Sequence, residues 1–305
     1  MNYSADTIYL TMKEYDFSYP SQGPLQAFPK HITCLVVEPD VIDKKTGVML
    51  CCHGWGNARH QTLEQMRYAA REFGILSVSP EYRMSGFDYD PVNGHGWYQP
   101  YDLSYRQTFD CIQALRVMLD NYPVVDRHRL YAYGTSQGGM IALLAAIWAP
   151  SLFAAVYAAS PMTRTPKSNE ALAYGCGRDF TPEERSLKDI PAHADRLKTP
   201  LILEHGTADD IVPFSLHALR LKRELVRAGN PPMEFNVYEG GGHSLAPVTN
   251  RFETFKKNAR KFFSMTRKGL DSFVKGEAVE IPAGSMTLHI DWSRPVGDLD
   301  LYSFK

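Results

Sequence analysis

The sequence has no long apolar run, no excess of one charge and few cysteines, and each shortage excludes a class of protein. Its longest apolar stretch, Met140 to Pro150, is too short to cross a bilayer, so no membrane insertion is predicted. The 33 Lys and Arg nearly balance the 34 Asp and Glu, which gives no reason to expect nucleic acid as a partner. With 44% hydrophobic residues among 305, the chain is expected to bury one large core.

The five cysteines show no Cys-x-x-Cys pair, and no His or carboxylate spacing predicts a metal site. Cys34, Cys51, Cys52 and Cys111 fall in predicted strands or helices, where we expect small buried hydrophobic residues, whereas Cys176 falls in a loop. Adjacent residues on a strand point to opposite faces, so Cys51 and Cys52 should not bridge each other. The first residues also lack a basic segment followed by an apolar one. Together these features favour a cytoplasmic protein.

Residues 134 to 139 read Gly-Thr-Ser-Gln-Gly-Gly, between the apolar run Leu130 to Tyr133 and the helix-forming run Met140 to Ala146. A strand, Gly-x-Ser-x-Gly and a helix in this order are typical of a nucleophile elbow. Small residues two before and two after Ser136 allow a sharp corner from which its hydroxyl projects. The amide of Gln137 would then be one donor of an oxyanion hole.

A second apolar strand, Val48 to Cys52, runs into His53-Gly54-Trp55-Gly56. A turn of this kind brings a backbone amide close to the nucleophile, and we expect the Trp55 amide to be the second oxyanion donor. His53 is predicted on the substrate side of this loop, where it orients the loop by hydrogen bonding and does not act as a base.

An acid and a base follow two later strands. The strand Leu201 to Glu204 leads into a loop with Asp209 and Asp210; Asp209 is the preferred partner of an imidazole and Asp210 the alternative. The strand Phe235 to Tyr238 leads through three glycines to His243, which is placed as a general base requires. The chain order Ser, Asp, His is the order expected for this arrangement.

Strands alternate with helices along the chain, which predicts an α/β fold with a mostly parallel sheet, helices on both faces and antiparallel first strands. The predicted strands lie near Ile8–Met12, Ile32–Glu38, Val48–Cys52, Ile75–Ser79, Leu130–Tyr133, Ala154–Ala158, Leu201–Glu204 and Phe235–Tyr238. The predicted helices are Gln61–Phe73, Tyr101–Tyr122, Ser136–Ala149, Ser215–Ala228 and Arg251–Lys268.

Three segments add to this core. Residues 84 to 101 are rich in aromatic side chains, and we predict that Trp97 and Tyr98 help to form a wall of the substrate site. Residues 162 to 196 are expected to be a short cap of irregular helices. Residues 269 to 305 predict a hairpin that packs on the edge of the core or on a second subunit, so that a homo-oligomer is possible.

Taken together, these motifs resemble those of the α/β-hydrolases, and more narrowly of their prolyl-oligopeptidase branch. The acid loop from Thr199 to Pro213 and the segment from Tyr82 to Phe87 are similar to that branch, over roughly residues 30 to 265. The elbow, Gly-x-Ser-Gln-Gly-Gly, is similar to that of acetyl-xylan and cephalosporin-type deacetylases, although their Arg-Gly-Gln element is missing. The chain also has no room for the propeller domain of the peptidases.

The resemblance implies one α/β-hydrolase domain over residues 1 to 305, with its core at about 30 to 268. It implies a serine hydrolase with Ser136, His243 and Asp209 as the catalytic triad, no cofactor, and Tyr82 among the substrate-binding residues. A small-molecule ester of a short or medium acyl group is the expected substrate, as for a carboxylesterase or acetylesterase. Two alternatives stay open: an oligopeptidase or aminopeptidase of the prolyl-oligopeptidase type, and a non-catalytic binding module.

Overall fold

A computed structural model describes residues 13–20, 31–83, 85, 102–103, 105–165, 179–229 and 231–305. The strand predicted at Ile8–Met12 and the loop thiol of Cys176 lie outside these residues. So do Trp97, Tyr98 and most of the predicted aromatic wall, as well as the middle of the predicted cap. Within the described part, no helix is long and apolar enough to span a membrane.

The main sheet has eight strands in the described residues, in the order β1-β2-β4-β3-β5-β6-β7-β8. β1 pairs antiparallel with β2 and β2 with β4, whereas all later pairs are parallel. The strands are β1 (Glu14–Pro20), β2 (His31–Val37), β3 (Gly47–Cys52), β4 (Ile75–Glu81), β5 (Leu130–Thr135), β6 (Ala155–Ala159), β7 (Leu201–Gly206) and β8 (Met233–Tyr238). The mostly parallel α/β-hydrolase sheet with an antiparallel edge is therefore confirmed.

Helices connect most of the parallel strands. They are α1 (Leu63–Phe73), α2 (Tyr105–Asn121), α3 (Gln137–Trp148), α4 (Pro182–Lys188), α5 (Ala218–Arg227), α6 (Arg251–Ser264) and α7 (Ser272–Lys275), with 3-10 turns at Ile190–His193 and Leu299–Leu301. The start of α4 is fixed by a capping box, in which Thr181 and Glu184 each accept from the other's backbone amide. α4 lies within residues 162 to 196, where a short cap of irregular helices was predicted.

The sheet separates two apolar layers, and Cys51 and Cys52 show the division. Cys51 packs in the layer that contains α1 and α6, and Cys52 packs in the layer that contains α2 and α3. The four described cysteines are buried and unpaired, as predicted for small hydrophobic residues. All twelve residues of α3 are buried.

The predicted C-terminal hairpin is present and belongs to a second sheet. β9 (Ala278–Ala283) pairs with β10 (Met286–Asp291), and β11 (Tyr302–Phe304) pairs with the other edge of β10. Trp292 is fully buried, and its indole donates to the carbonyl of Trp148 at 2.8 Å. Tyr302 stacks on Phe109 of α2 with the ring centroids 4.2 Å apart. The extension thus packs on the core of the same chain.

The sequence prediction missed two strands, β1 and β11. Both are edge strands in which several side chains are only partly buried, so neither shows a continuous apolar run.

Candidate active site

Ser136 lies at the corner between β5 and α3, with φ 55° and ψ −119°. A positive φ is strained for a residue with a side chain, and such strain is maintained only where the surroundings enforce it. Here the surroundings are close: a methyl group at Gly134 would lie 2.1 Å from the carbonyl oxygen of Gly138. The corner therefore requires the small residues that the sequence placed two positions before and two after the serine.

The corner at Ser136 packs closely against the end of β3. A methyl group at Gly138 would lie 2.1 Å from the carbonyl oxygen of Cys52 and 2.4 Å from that of His53. One at Gly54 would lie 3.5 Å from Cβ of Ser136, an ordinary contact distance. The loop after β3 is therefore adjacent to the serine.

The two predicted oxyanion donors lie on either side of this contact. Gln137 begins α3, so its amide is at the positive end of the helix dipole. Its side chain is directed away to Gln107, whose Oε1 accepts its Nε2–H at 2.6 Å. Trp55 follows Gly54 and lines the cavity beside Ser136.

His243 and Asp209 are in direct contact. Nδ1 of His243 donates to Oδ2 of Asp209 at 2.7 Å. The other carboxylate oxygen accepts the amides of Ile211 and Val212 at 3.1 and 2.8 Å. Asp209 is buried, whereas Asp210, the alternative acid, is exposed. The geometry therefore favours Asp209 as the partner of the histidine.

A second histidine, His205 of β7, also holds this carboxylate. Its Nε2 lies 3.0 Å from Oδ2 of Asp209 and 2.8 Å from the carbonyl oxygen of Val212. Burial alone would raise the pKa of Asp209, but the hydrogen bonds from His205, His243 and the Val212 amide lower it well below its usual range. Asp209 is thus an anion at any physiological pH.

Ser136 and His243 open onto one cavity of about 630 Å³. Its described lining residues are Gly54, Trp55, Asn57, Gln61, Ser136, Met162, Arg164, Thr165, Ile211, Val212, Pro213, Leu216, His217, His243 and Arg251. A cavity of this size accommodates a small organic substrate. It brings together the serine, the histidine and the Trp55 loop, which come from three separate parts of the chain.

The predicted substrate contacts of His53 and Tyr82 need correction. Both side chains are fully buried, and neither is among the described residues that line the cavity. The two rings stack with centroids 4.1 Å apart, and the Tyr82 hydroxyl donates to the His53 carbonyl at 2.8 Å. Burial lowers the pKa of His53 to about 4, so the ring is neutral. The stacked pair lies inside the core, so these residues support the loop before Trp55 from its buried side.

Several residues that shape the site were not predicted. Arg251, the first residue of α6, donates through Nη2 to the carbonyl of His243 and so holds the histidine loop. Arg164 and His217 line the cavity from the segments that follow β6 and precede α5. The only local sign was that each lies between the end of a strand and the first turn of the next helix, where ligand-binding residues of α/β folds gather.

The described ranges contain no group of three or more His, Cys, Asp or Glu residues that could hold a metal ion. The cavity does bring together the hydroxyl of Ser136 on its strained backbone, the imidazole of His243 hydrogen-bonded to the buried Asp209 carboxylate, and the N-terminus of α3. These are the groups that nucleophilic acyl transfer uses.

Comparison with known proteins gives consistent results. The chain is 23% identical over 241 residues to "Acyl-protein thioesterase 1" of Emericella nidulans, an alignment that spans 73% of this chain and 87% of that protein. The solved structures of a putative dipeptidyl aminopeptidase IV from Bacteroides ovatus and of Pyrococcus horikoshii acylaminoacyl peptidase each have a TM-score of 0.67 at 18% identity. Each similarity covers 85% of this chain but only 36% and 43% of the respective peptidase.

The chain thus spans less than half the length of those peptidases, and at such identity they show a shared α/β-hydrolase fold. A more specific match comes from the sequence profile of the prolyl oligopeptidase family, which aligns with residues 61–268. This stretch is more than half of the chain and contains Ser136, Asp209 and His243. The protein therefore belongs to the prolyl oligopeptidase family of serine hydrolases.

Proposed function

We propose that this protein hydrolyses carboxylic esters of small or medium acyl groups through an acyl-enzyme formed on Ser136. The observation that carries the proposal is the Asp209–His243 hydrogen bond of 2.7 Å at the cavity that also exposes the strained serine. A buried, ionised carboxylate on Nδ1 fixes the imidazole tautomer that leaves Nε2 as the base.

In the proposed reaction, His243 takes the hydroxyl proton as Ser136 attacks the acyl carbonyl carbon. The negative charge that develops on the carbonyl oxygen is stabilised by the amides of Gln137 and Trp55. His243 then passes its proton to the departing alcohol, and an acyl-serine remains. Water, deprotonated by the same histidine, attacks this acyl group and releases the acid and the serine.

An ester is preferred to a peptide as the substrate for two reasons. The first is that the elbow is similar to that of deacetylases. The second is that a relative named as a thioesterase aligns over most of its own length and most of this chain. A peptidase of the prolyl-oligopeptidase type is the second candidate, since the family match and the solved structures favour it. Parallel assays of 4-nitrophenyl esters and aminoacyl-4-nitroanilides separate the two, because only a peptidase must protonate and expel an amine efficiently.

Three further proposals concern the partner, the cellular compartment and the oligomeric state. We expect a small-molecule ester as the partner and the cytoplasm as the compartment, which the four buried, unpaired cysteines support. A homo-oligomer through the C-terminal extension is supported by the exposed Leu270, Val274 and Leu299. Size-exclusion chromatography with light scattering tests that arrangement.

Labelling with a fluorophosphonate probe, together with turnover of 4-nitrophenyl acetate, tests the proposed function. Ser136→Ala should abolish labelling and lower kcat roughly 10⁴- to 10⁶-fold, because only binding and the oxyanion donors remain. Ser215→Ala is the matched control: this serine is exposed and does not line the cavity, so labelling and turnover should persist. Equal labelling of wild type and Ser136→Ala would assign the reactive residue to another position, and a wild type that shows neither labelling nor turnover would leave the non-catalytic binding module as the better description.

A further inference from the structure

The charged side chains that line the described part of the active-site cavity are all positive. Its described lining includes two arginines, Arg164 and Arg251, and no aspartate or glutamate. Asp209, the acid that His243 of the lining contacts, is already occupied: its oxygens accept from His205, His243 and two backbone amides. A cavity that serves only neutral acyl groups gains nothing from cations on its wall, because each loses hydration there.

Arg164 is the cation that a substrate can reach. It lies between Met162 and Thr165 on the cavity wall, and no hydrogen bond or ion pair occupies its guanidinium among the described residues. Arg251, in contrast, holds the carbonyl of His243. The five N–H groups of a guanidinium form a planar fork that matches a carboxylate in shape and charge.

A neutral donor lies close to this fork. His217 is 8% exposed and lines the same cavity. Its Nδ1 accepts the backbone amide of Thr163 at 3.0 Å, so the ring proton resides on Nε2. Burial, and next the positive charge of Arg164, lower the pKa of His217 to about 3, which keeps the ring neutral. Among the described residues, no acceptor pairs with its Nε2–H.

We propose that Arg164 and the Nε2–H of His217 form a subsite for a carboxylate carried by the ester substrate. The inference rests on the proposed function, because it names the class of ester that the cavity selects. The carboxylate belongs either to the acyl group, as in the monoester of a dicarboxylic acid, or to the alcohol. In both cases it replaces the water that hydrates the arginine with a paired anion.

Two pairs of esters test the subsite, and the members of each pair differ by one methyl group, which removes the negative charge of the carboxylate. The acyl arm compares 4-nitrophenyl monoadipate with 4-nitrophenyl methyl adipate. The alcohol arm compares 4-acetoxybenzoate with its methyl ester. For each pair the measured quantity is the ratio of kcat/KM, charged over neutral, corrected for uncatalysed hydrolysis. In at least one arm the wild type should favour the charged ester by tenfold or more.

Substitution of the two donors should reduce that ratio. Arg164→Gln should lower it roughly 10- to 100-fold and His217→Ala by a smaller factor, because the hydrogen bonds to a charged group are lost. Arg164→Lys should retain part of the ratio, since it keeps the charge without the fork. Arg223→Gln, which removes an equal charge from the exposed side of α5, should leave the ratio unchanged. Added salt should reduce the wild-type ratio as well.

Three results would overturn the inference: equal wild-type turnover of charged and neutral esters in both arms, a ratio in Arg164→Gln that matches wild type, or a loss of ratio in Arg223→Gln as large as in Arg164→Gln. Turnover of the neutral esters by wild type but not by Ser136→Ala shows that the proposed hydrolase function survives such a failure. If wild type cleaves none of the four esters and the fluorophosphonate probe labels Ser136→Ala equally, the function and the subsite both fail.

Discussion

Replacing Gly138 with alanine tests whether the contact between the elbow and β3 sets the geometry of the site. The added methyl carbon would lie 2.1 Å from the carbonyl oxygen of Cys52 and 2.4 Å from that of His53. Both obstacles are backbone atoms of a buried strand end, so no side chain can rotate to make room. To reach an ordinary contact distance, the start of α3 and the end of β3 must separate by more than about 1 Å.

That separation acts on catalysis more than on stability. It moves the Gln137 amide away from the Trp55 loop, and a displacement of about 1 Å in a catalytic constellation can lower the rate about 10²-fold. Overpacking of a buried contact costs roughly 1–3 kcal/mol of unfolding free energy. We therefore expect Gly138→Ala to fold, to lose about two orders of magnitude in kcat on 4-nitrophenyl acetate, and to unfold at lower urea concentration.

Gly74→Ala is the control for a loss of stability alone. Gly74 ends α1 with φ 61° and has open space around its Cα, so alanine there adds about 1–2 kcal/mol of backbone strain with no contact to the site. The two variants should lose similar stability, but Gly74→Ala should keep the wild-type kcat. A Gly138→Ala enzyme with kcat within threefold of wild type would refute the reasoning.

Three further changes have expected results. Asp209→Asn should lower kcat on the acetate ester by about 10⁴-fold, because a neutral amide does not stabilise the imidazolium, and a loss below tenfold would contradict the assignment. Burial raises the pKa of Glu204 from 4.5 to about 7, so its contribution to stability is present below the unfolded-state pKa and is lost as the pH rises through about 7. Thermal melts of wild type should show a decline worth at most about 3 kcal/mol between pH 5 and 8, which Glu204→Gln should remove; an equal decline in both proteins would disprove it. Trp292→Ala should cost roughly 3–5 kcal/mol in urea unfolding, since the indole is fully buried and bonded to Trp148, and a change below 1 kcal/mol would show that the extension is not coupled to the core.

The parts of the fold that the sequence predicted are those with a strong local pattern. The central strands β3 to β7 are buried along their whole length and contain runs of apolar residues, because helices cover both faces of the sheet. The elbow was recognisable because close backbone contact restricts Gly134 and Gly138 to glycine. Asp209 and His243 follow strands and were placed by chain order, and the structure brings them into hydrogen-bond contact.

The parts that the sequence did not predict depend on contacts between distant segments. In the sequence, His205 is simply a histidine at the end of a predicted strand. Its contact with Asp209 forms only because the loop after β7 folds back over that strand. Arg164 and His217 share a cavity because the segments after β6 and before α5 lie side by side at the end of the sheet. His53 and Tyr82 were assigned to the wrong side of their loop, since periodicity does not show whether a residue beyond a strand end turns inward or outward.

The complete enclosure of α3 has a consequence for how the protein responds to its medium. Every residue of that helix is buried, and Trp292 of the extension covers the carbonyl of its last residue. Mobile ions are therefore excluded from the length of this helix and can meet its dipole only at the cavity, which Ser136 and Arg164 both line. A neutral ester carries no charge for added salt to screen from Arg164, whereas the pairing of a charged ester with this guanidinium is screened directly. Added salt should therefore reduce the discrimination between charged and neutral esters more than it reduces the rate at which the neutral esters are cleaved.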